Sequence, residues 1–191
     1  MYLFFDTETT GLPRNYNAPI TDLSNWPRLV QLAYLLFDAN GDKIAGRDAI
    51  VKPDGFTIPE EAARIHGITT DRAQREGEDL LEVLQDFQGV ITKARCLVAH
   101  NISFDEKIIG AEFLRSQMEN SLPTKTKICT MQSSTNYCGL PGMHGYKWPK
   151  LAELHRKLFQ KDFAEAHNAA ADISATVRCF WELKRLGIIK A

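Results

Sequence analysis

The sequence predicts an α/β fold, a mixed sheet covered by helices. The prediction rests on an apolar N-terminal run ending in carboxylates, two strand-like runs joined through an Asn-Gly pair, and later alternation of strand and helix patterns. Tyr2 to Phe5 is short, aromatic and apolar, and it reads as a first, central strand. The Pro- and Asn-rich stretch from Arg14 to Pro27 is excluded from regular structure. Leu29 to Phe37 and Ala45 to Val51 flank Asn40-Gly41, a hairpin signal that makes these strands antiparallel. Pro59 to Gly89 is helical and acidic in pattern, which is the signature of a solvated face.

Cys96 to Ala99 is a compact buried strand closed by His100-Asn101. Ser103 and Glu106 have the spacing of a capping box, so a helix is predicted from there to about Met118. Lys127 to Met131 is a further strand, Gly139 to Pro149 a loop, and Lys150 to Phe159 a helix. Asn168 is a good N-cap for a last helix carrying Ile173, Val177, Phe180 and Trp181 on one stripe. No linker or repeat divides the chain, so residues 1–191 are expected to form a single domain.

Composition removes several classes. With 191 residues, 44% hydrophobic and 25% charged, the chain is long enough for a real core and too mixed for disorder. No apolar run approaches the roughly 20 residues of a membrane span, so no membrane partner is expected. The first residues run into Asp6 without a basic flank or cleavage site, unlike a signal peptide. Cys96, Cys129, Cys138 and Cys179 follow no regular metal-ligand spacing and read as reduced, mostly buried thiols of a cytoplasmic protein. The balance of 23 basic against 24 acidic residues gives a net charge of -1, which does not announce a nucleic-acid coat.

The chemistry sits in the carboxylates. Asp6 and Glu8, two apart in a strand, share a face with Cα atoms about 6–7 Å apart. Like charges so close repel unless a cation lies between them, and hard divalent ions accept an all-oxygen set. Asp105 falls in the first turn of a helix that follows a buried strand, where a dipole role and a ligand role are both open. Five residues on a helix turn through roughly 500°, so His167 and Asp172 reach one site only if His167 lies in the preceding loop.

Taken in order, Asp6-Thr7-Glu8-Thr9-Thr10-Gly11, His100-Asn101-Ile102-Ser103-Phe104-Asp105, and His167 with Asp172 resemble the three motifs of the DEDDh 3′-to-5′ exonucleases. Ile65-His66-Gly67-Ile68-Thr69 and Leu151-Ala152-Glu153-Leu154 extend the resemblance to about residue 185. It implies an RNase H-like fold with a mixed five-stranded sheet flanked by helices. It also implies two divalent cations, Mg²⁺ or Mn²⁺, held by Asp6, Glu8, Asp105 and Asp172, with Asp6 bridging them and His167 as general base. The expected partner is a single-stranded 3′ end, with DNA favoured over RNA, and the expected product a nucleoside 5′-monophosphate.

Further contacts are implied by the same likeness. Thr7, Thr9 and Asn101 lie where substrate is held, backbone groups around Thr7 and Glu8 face the terminal 3′-hydroxyl, and Leu12 wedges beside the terminal base. His66 and Phe104 are candidates to meet the terminal nucleotide. Lys147-Trp148 pairs a cation with an aromatic ring, and Trp148 is expected to be a buried anchor. Arg14 to Pro27 is an insertion after the first motif that forms either a lip over the substrate or an exposed loop. The chain ends soon after its last helix, with no polymerase tether expected. The alternatives are an exoribonuclease or oligoribonuclease, a silent module of the same fold, and an aspartyl phosphatase, which Glu8 disfavours by breaking the Asp-x-Asp start.

Overall fold

A computed structural model describes residues 1–162 and 169–190. The N-terminal run forms β1 (Tyr2–Thr9), longer than predicted because the carboxylate-bearing residues continue the strand. Strand β2 (Leu29–Phe37) has the predicted bounds, and the chain returns through Asn40-Gly41, with Gly41 at φ +95°, as antiparallel β3 (Lys43–Ile50). The acidic stretch resolves into α1 (Glu60–His66), α2 (Thr70–Glu76) and α3 (Leu80–Lys93). Each break has a cause. Gly67 adopts a left-handed conformation, the Thr69 side chain accepts from Arg72 N, and Asp79 accepts from Leu81 N and Glu82 N.

Strand β4 (Cys96–Ala99) is buried along its length. The helix after it, α4 (Ile102–Arg115), corrects the expected start and end. No capping box forms at Ser103. The N-cap is Asn101, in a left-handed conformation (φ 72°, ψ 45°) that asparagine tolerates, and Glu106 instead pairs with Lys127. Strand β5 (Thr126–Cys129) stops short of Met131 because Thr130 turns into α5 (Thr130–Ser133), followed by α6 (Thr135–Cys138). Within the loop before Pro149, β6 (Pro141–Gly142) pairs with β7 (Gly145–Tyr146). Helices α7 (Leu151–Phe159) and α8 (Ala169–Arg185) complete the described chain. Asn168 and its predicted cap lie outside the described residues.

The sheet order is β3-β2-β1-β4-β5, so β1 is central as predicted. It pairs antiparallel with β2 and parallel with β4, which makes the sheet mixed. Alternation along β1 divides the core. Leu3 and Phe5 pack with Val83, Phe87, Ile108 and Phe113 of α3 and α4. Tyr2 and Phe4 pack with Leu154, Ile173, Val177 and Phe180 of α7 and α8. Period two then sends Asp6 and Glu8 to the α8 face and Thr7 and Thr9 to the α4 face. The four cysteines are free and buried, and no described helix is long and apolar enough to cross a membrane.

The Arg14–Pro27 insertion is bolted to this frame by one buried acid. Glu112 is fully buried; its Oε1 accepts from Arg28 Nε at 2.9 Å and Leu29 N at 3.0 Å, and lies 3.0 Å from Arg115 Nη1. Arg115 Nη2 in turn donates to the Leu23 and Trp26 carbonyls, each at 2.7 Å. Removing the acid takes the carboxylate from two partly buried guanidinium groups and from the buried Leu29 amide. Glu112→Ala is therefore expected to cost about 3–5 kcal/mol, the scale of breaking a buried ion pair from one side, read as a shifted urea midpoint.

Candidate active site

The C-terminal end of β1 and the first turn of α8 bring three carboxylates together. Asp6, Glu8 and Asp172 each offer an oxygen within 4.8 Å of the others, the one such group of potential metal ligands among the described residues. Local sequence explains the approach. Ala169, Ala170 and Ala171 let α8 start against the sheet without side-chain bulk, and Ala33 of β2, directly opposite Asp6, is equally small.

Asp105 arrives from the opposite face. It is 3% exposed, and its Oδ1 accepts from Thr7 N at 3.0 Å and Thr7 Oγ1 at 2.7 Å. The residue between Asp6 and Glu8 thus holds the fourth carboxylate, across 98 positions of sequence. No local signal in the chain announces this link. Both Thr7 donors, its amide and its hydroxyl, are engaged by Asp105.

The electrostatics are those of carboxylates crowded together away from water. Burial, followed by the charges of Asp105, Asp172 and Glu8, holds the Asp6 carboxyl well above the usual range. Burial first, then Asp172 and Asp105, pushes Glu8 up to about 8. Burial also raises Asp105 to about 7, although its hydrogen bonds from Thr7 pull the other way. Carboxylates crowded at this spacing do not all ionise alone, and divalent cations with oxygen preference fit the donor set.

The remaining predicted residues fall around this centre in different ways. Thr9 is buried, and its hydroxyl donates to Gly11 O at 2.6 Å, fixing the turn that leaves Leu12 73% exposed. Phe104 is half-buried against the α3–α4 core, immediately before Asp105. Asn101 holds the start of α4 through its carbonyl, which accepts from Phe104 N at 2.9 Å. His66 is only 7% exposed, its Nδ1 accepts from Ile68 N at 3.1 Å, and burial lowers its pKa. A backbone contact with Thr9 places this ring beside the first motif. His167 lies outside the described residues.

Two features escaped the sequence. His100 is a strut: its Nδ1 meets Thr130 Oγ1 and its Nε2 meets Pro149 O, both at 3.0 Å, and burial lowers its pKa to about 4. It ties the 139–149 loop to the end of β4. Trp148, expected as a buried anchor, is instead 60% exposed, because Pro149 and His100 anchor that loop from the other side.

Comparison with known proteins agrees with this geometry. A family profile, RNase_T, described as exonuclease, matches residues 3–180. DNA polymerase III PolC-type from Lactococcus lactis is 31% identical over 179 residues, covering 93% of this chain and 10% of that protein. DNA polymerase III subunit epsilon from Treponema pallidum is 31% identical over 148 residues, covering 78% of this chain and 61% of its own length. E. coli exonuclease I superimposes with a TM-score of 0.75 at 21% identity, over 96% of this chain and 40% of its own. The chain thus spans under two thirds of each of these relatives. Its fold is RNase H-like, as expected. By the match over residues 3–180, the chain belongs to the RNase_T exonuclease family.

Proposed function

We propose that the chain, as one exonuclease unit over residues 1–191, degrades single-stranded DNA from its 3′ end with two divalent cations, Mg²⁺ or Mn²⁺, releasing nucleoside 5′-monophosphates. The observation that carries this is the convergence of Asp6, Glu8 and Asp172 within 4.8 Å beside a Thr7-held Asp105. Solved exonuclease I structures with the same fold hold dA16 and dT13 oligonucleotides, which favours a single-stranded DNA substrate here. When bound, the cations polarise the attacking water and stabilise the departing oxyanion.

The protein groups divide the remaining work. Asp6, Glu8 and Asp172 would hold the cations through carboxylate oxygens, Asp6 being the acid whose ionisation all three neighbouring acids oppose. Thr7 fixes the Asp105 carboxylate by two hydrogen bonds, so that it meets the site in one orientation. His167, five positions before Asp172, takes the proton of the attacking water. Leu12, exposed at the end of the first motif, wedges beside the terminal base, and Phe104 contacts the same nucleotide. Four buried thiols accord with work in the cytoplasm.

The test is direct. Purified chain with Mg²⁺ or Mn²⁺ is given 5′-labelled single-stranded DNA and RNA of matched sequence and several lengths. A ladder shortening from the 3′ end, faster on DNA and stopped by EDTA, is the expected outcome. Cleavage that survives EDTA would remove the cations from the mechanism, shortening from the 5′ end would reverse the polarity, and faster RNA decay would reassign the substrate.

A further inference from the structure

The insertion after the first motif is a rigid platform rather than slack chain. Its ends meet through Thr10 N to Arg28 O and Arg28 N to Thr10 Oγ1, both 3.0 Å. Higher up, Asn15 and Asn25 bond reciprocally: Asn15 N donates to Asn25 Oδ1 at 2.8 Å, and Asn25 Nδ2 to Asn15 O at 3.0 Å. Asn25 and Trp26 are 7% and 3% exposed, and Trp26 Nε1 donates to Pro19 O at 3.0 Å. With Arg115 holding the Leu23 and Trp26 carbonyls, the loop is stapled to α4.

This scaffold presents Tyr16. The side chain is 50% exposed, an unusual placement for a large ring on a well-anchored loop. Its carbonyl accepts from Lys107 Nζ, one turn along α4 from Phe104, so the ring is held where α4 meets the site. The Tyr16 and Phe104 ring centroids are 6.5 Å apart with planes at 42°, and Phe104 adjoins Asp105. The Tyr16 ring thus neighbours the ring of the residue that precedes Asp105.

Charge points the same way. Arg14 donates to Ser24 O at 3.2 Å and Lys107 to Tyr16 O, both to neutral carbonyls. Among the described residues neither makes a salt bridge; Lys107 Nζ also lies 5.1 Å over the Trp26 ring, so the insertion that carries Tyr16 holds one cation and contacts another, neither with a carboxylate partner. An exposed ring on a loop that holds one cation and contacts another matches a nucleic-acid strand, whose bases stack on aromatics while its phosphates meet Lys and Arg.

We propose that Tyr16 is a base-stacking subsite for a nucleotide upstream of the scissile bond, with Arg14 and Lys107 beside its phosphate. The assignment rests on the exonuclease reading above and extends it, giving the enzyme a preference for strands longer than two nucleotides. The terminal nucleotide is gripped near Leu12 and Phe104, and Tyr16 engages a more distant base only when the strand is long enough to reach the insertion.

Steady-state kinetics of the full chain with Mg²⁺ on 5′-labelled oligothymidylates of two and six nucleotides test this. The wild type is expected to show a KM for the hexamer about tenfold below that for the dimer, within the range of base–aromatic stacking. Tyr16→Ala is expected to lose that preference through KM rather than kcat, and Tyr16→Phe to keep it, since stacking needs the ring and not the hydroxyl. A preference retained in Tyr16→Ala, or lost as fully in Tyr16→Phe, overturns the subsite. Absence of cleavage of either oligomer by the wild type overturns the exonuclease reading itself, which separates the two failures.

Discussion

Asp6→Asn is expected to abolish most nuclease activity while making the cation-free protein more stable. Asp6 is the acid most surrounded by others, with Asp105, Asp172 and Glu8 all opposing its ionisation on top of burial. Asparagine keeps the shape and removes the charge, so a ligand oxygen is lost without a cavity. The expected loss in kcat is on the order of 10³-fold, the scale seen when one group that stabilises developing charge is removed. Stability moves the other way because the native state raises the Asp6 pKa above its unfolded value. Below both values the acid is neutral in each state, and Asp and Asn are equivalent. As pH climbs past the unfolded value, folding of the wild type must keep or repel a charge that the variant lacks, so wild-type stability falls relative to Asn. Melting in EDTA at pH 5 and pH 8 reads this: the variant's advantage should grow with pH. Added Mg²⁺ should then stabilise the wild type more than the variant, by mass action on the intact ligand set. An Asp6→Asn protein with full activity would remove Asp6 from the cation site.

His167→Ala is expected to lower turnover by roughly 10²–10⁴-fold, the range for a lost general base. Cation binding should survive, because the carboxylates that converge are Asp6, Glu8 and Asp172. Two measurements together separate this from simple disruption. Mg²⁺-dependent stabilisation should match the wild type. The pH–rate profile should also lose its acid limb, since an imidazole accepts a proton only when neutral. If the variant keeps its pH profile and loses only cation affinity, His167 acts through the metal site and not as a base.

Much of the fold was legible because the strands are buried and differ in pattern from everything around them. β2 has the predicted bounds, and β4 is a four-residue apolar run with no other use in a globular chain. The errors came where a distant contact overruled a local signal. Ser103 and Glu106 have the spacing of a capping box, yet Asn101 turns left-handed and the helix is already under way at Ile102. Trp148 has the composition of an anchor, yet His100 supplies the anchor by holding Pro149 O.

The candidate site divides along the same line. Asp6 and Glu8 were legible from strand spacing, which fixes their common face, and Asp172 from the resemblance. The partnership of Thr7 with Asp105 was not, because 98 residues separate the two and neither type is rare at a strand end or helix start. His66 shows the converse. Its segment was legible, but its burial against Ile68 depends on how α1 closes over the sheet.

The sheet's two borders carry a consequence for handling the protein. A border strand offers unpaired amides and carbonyls to any neighbouring chain, the usual start of aggregation. Here β3 carries Lys43, Arg47 and Asp48, and its exposed Gly46 contributes no side chain. β5 has only four residues, with Lys127 along it and Lys125 just before. A strand from another copy would meet charge at one border and too short a ladder at the other. The molecule should therefore stay monodisperse when concentrated, even with ten phenylalanines in its composition.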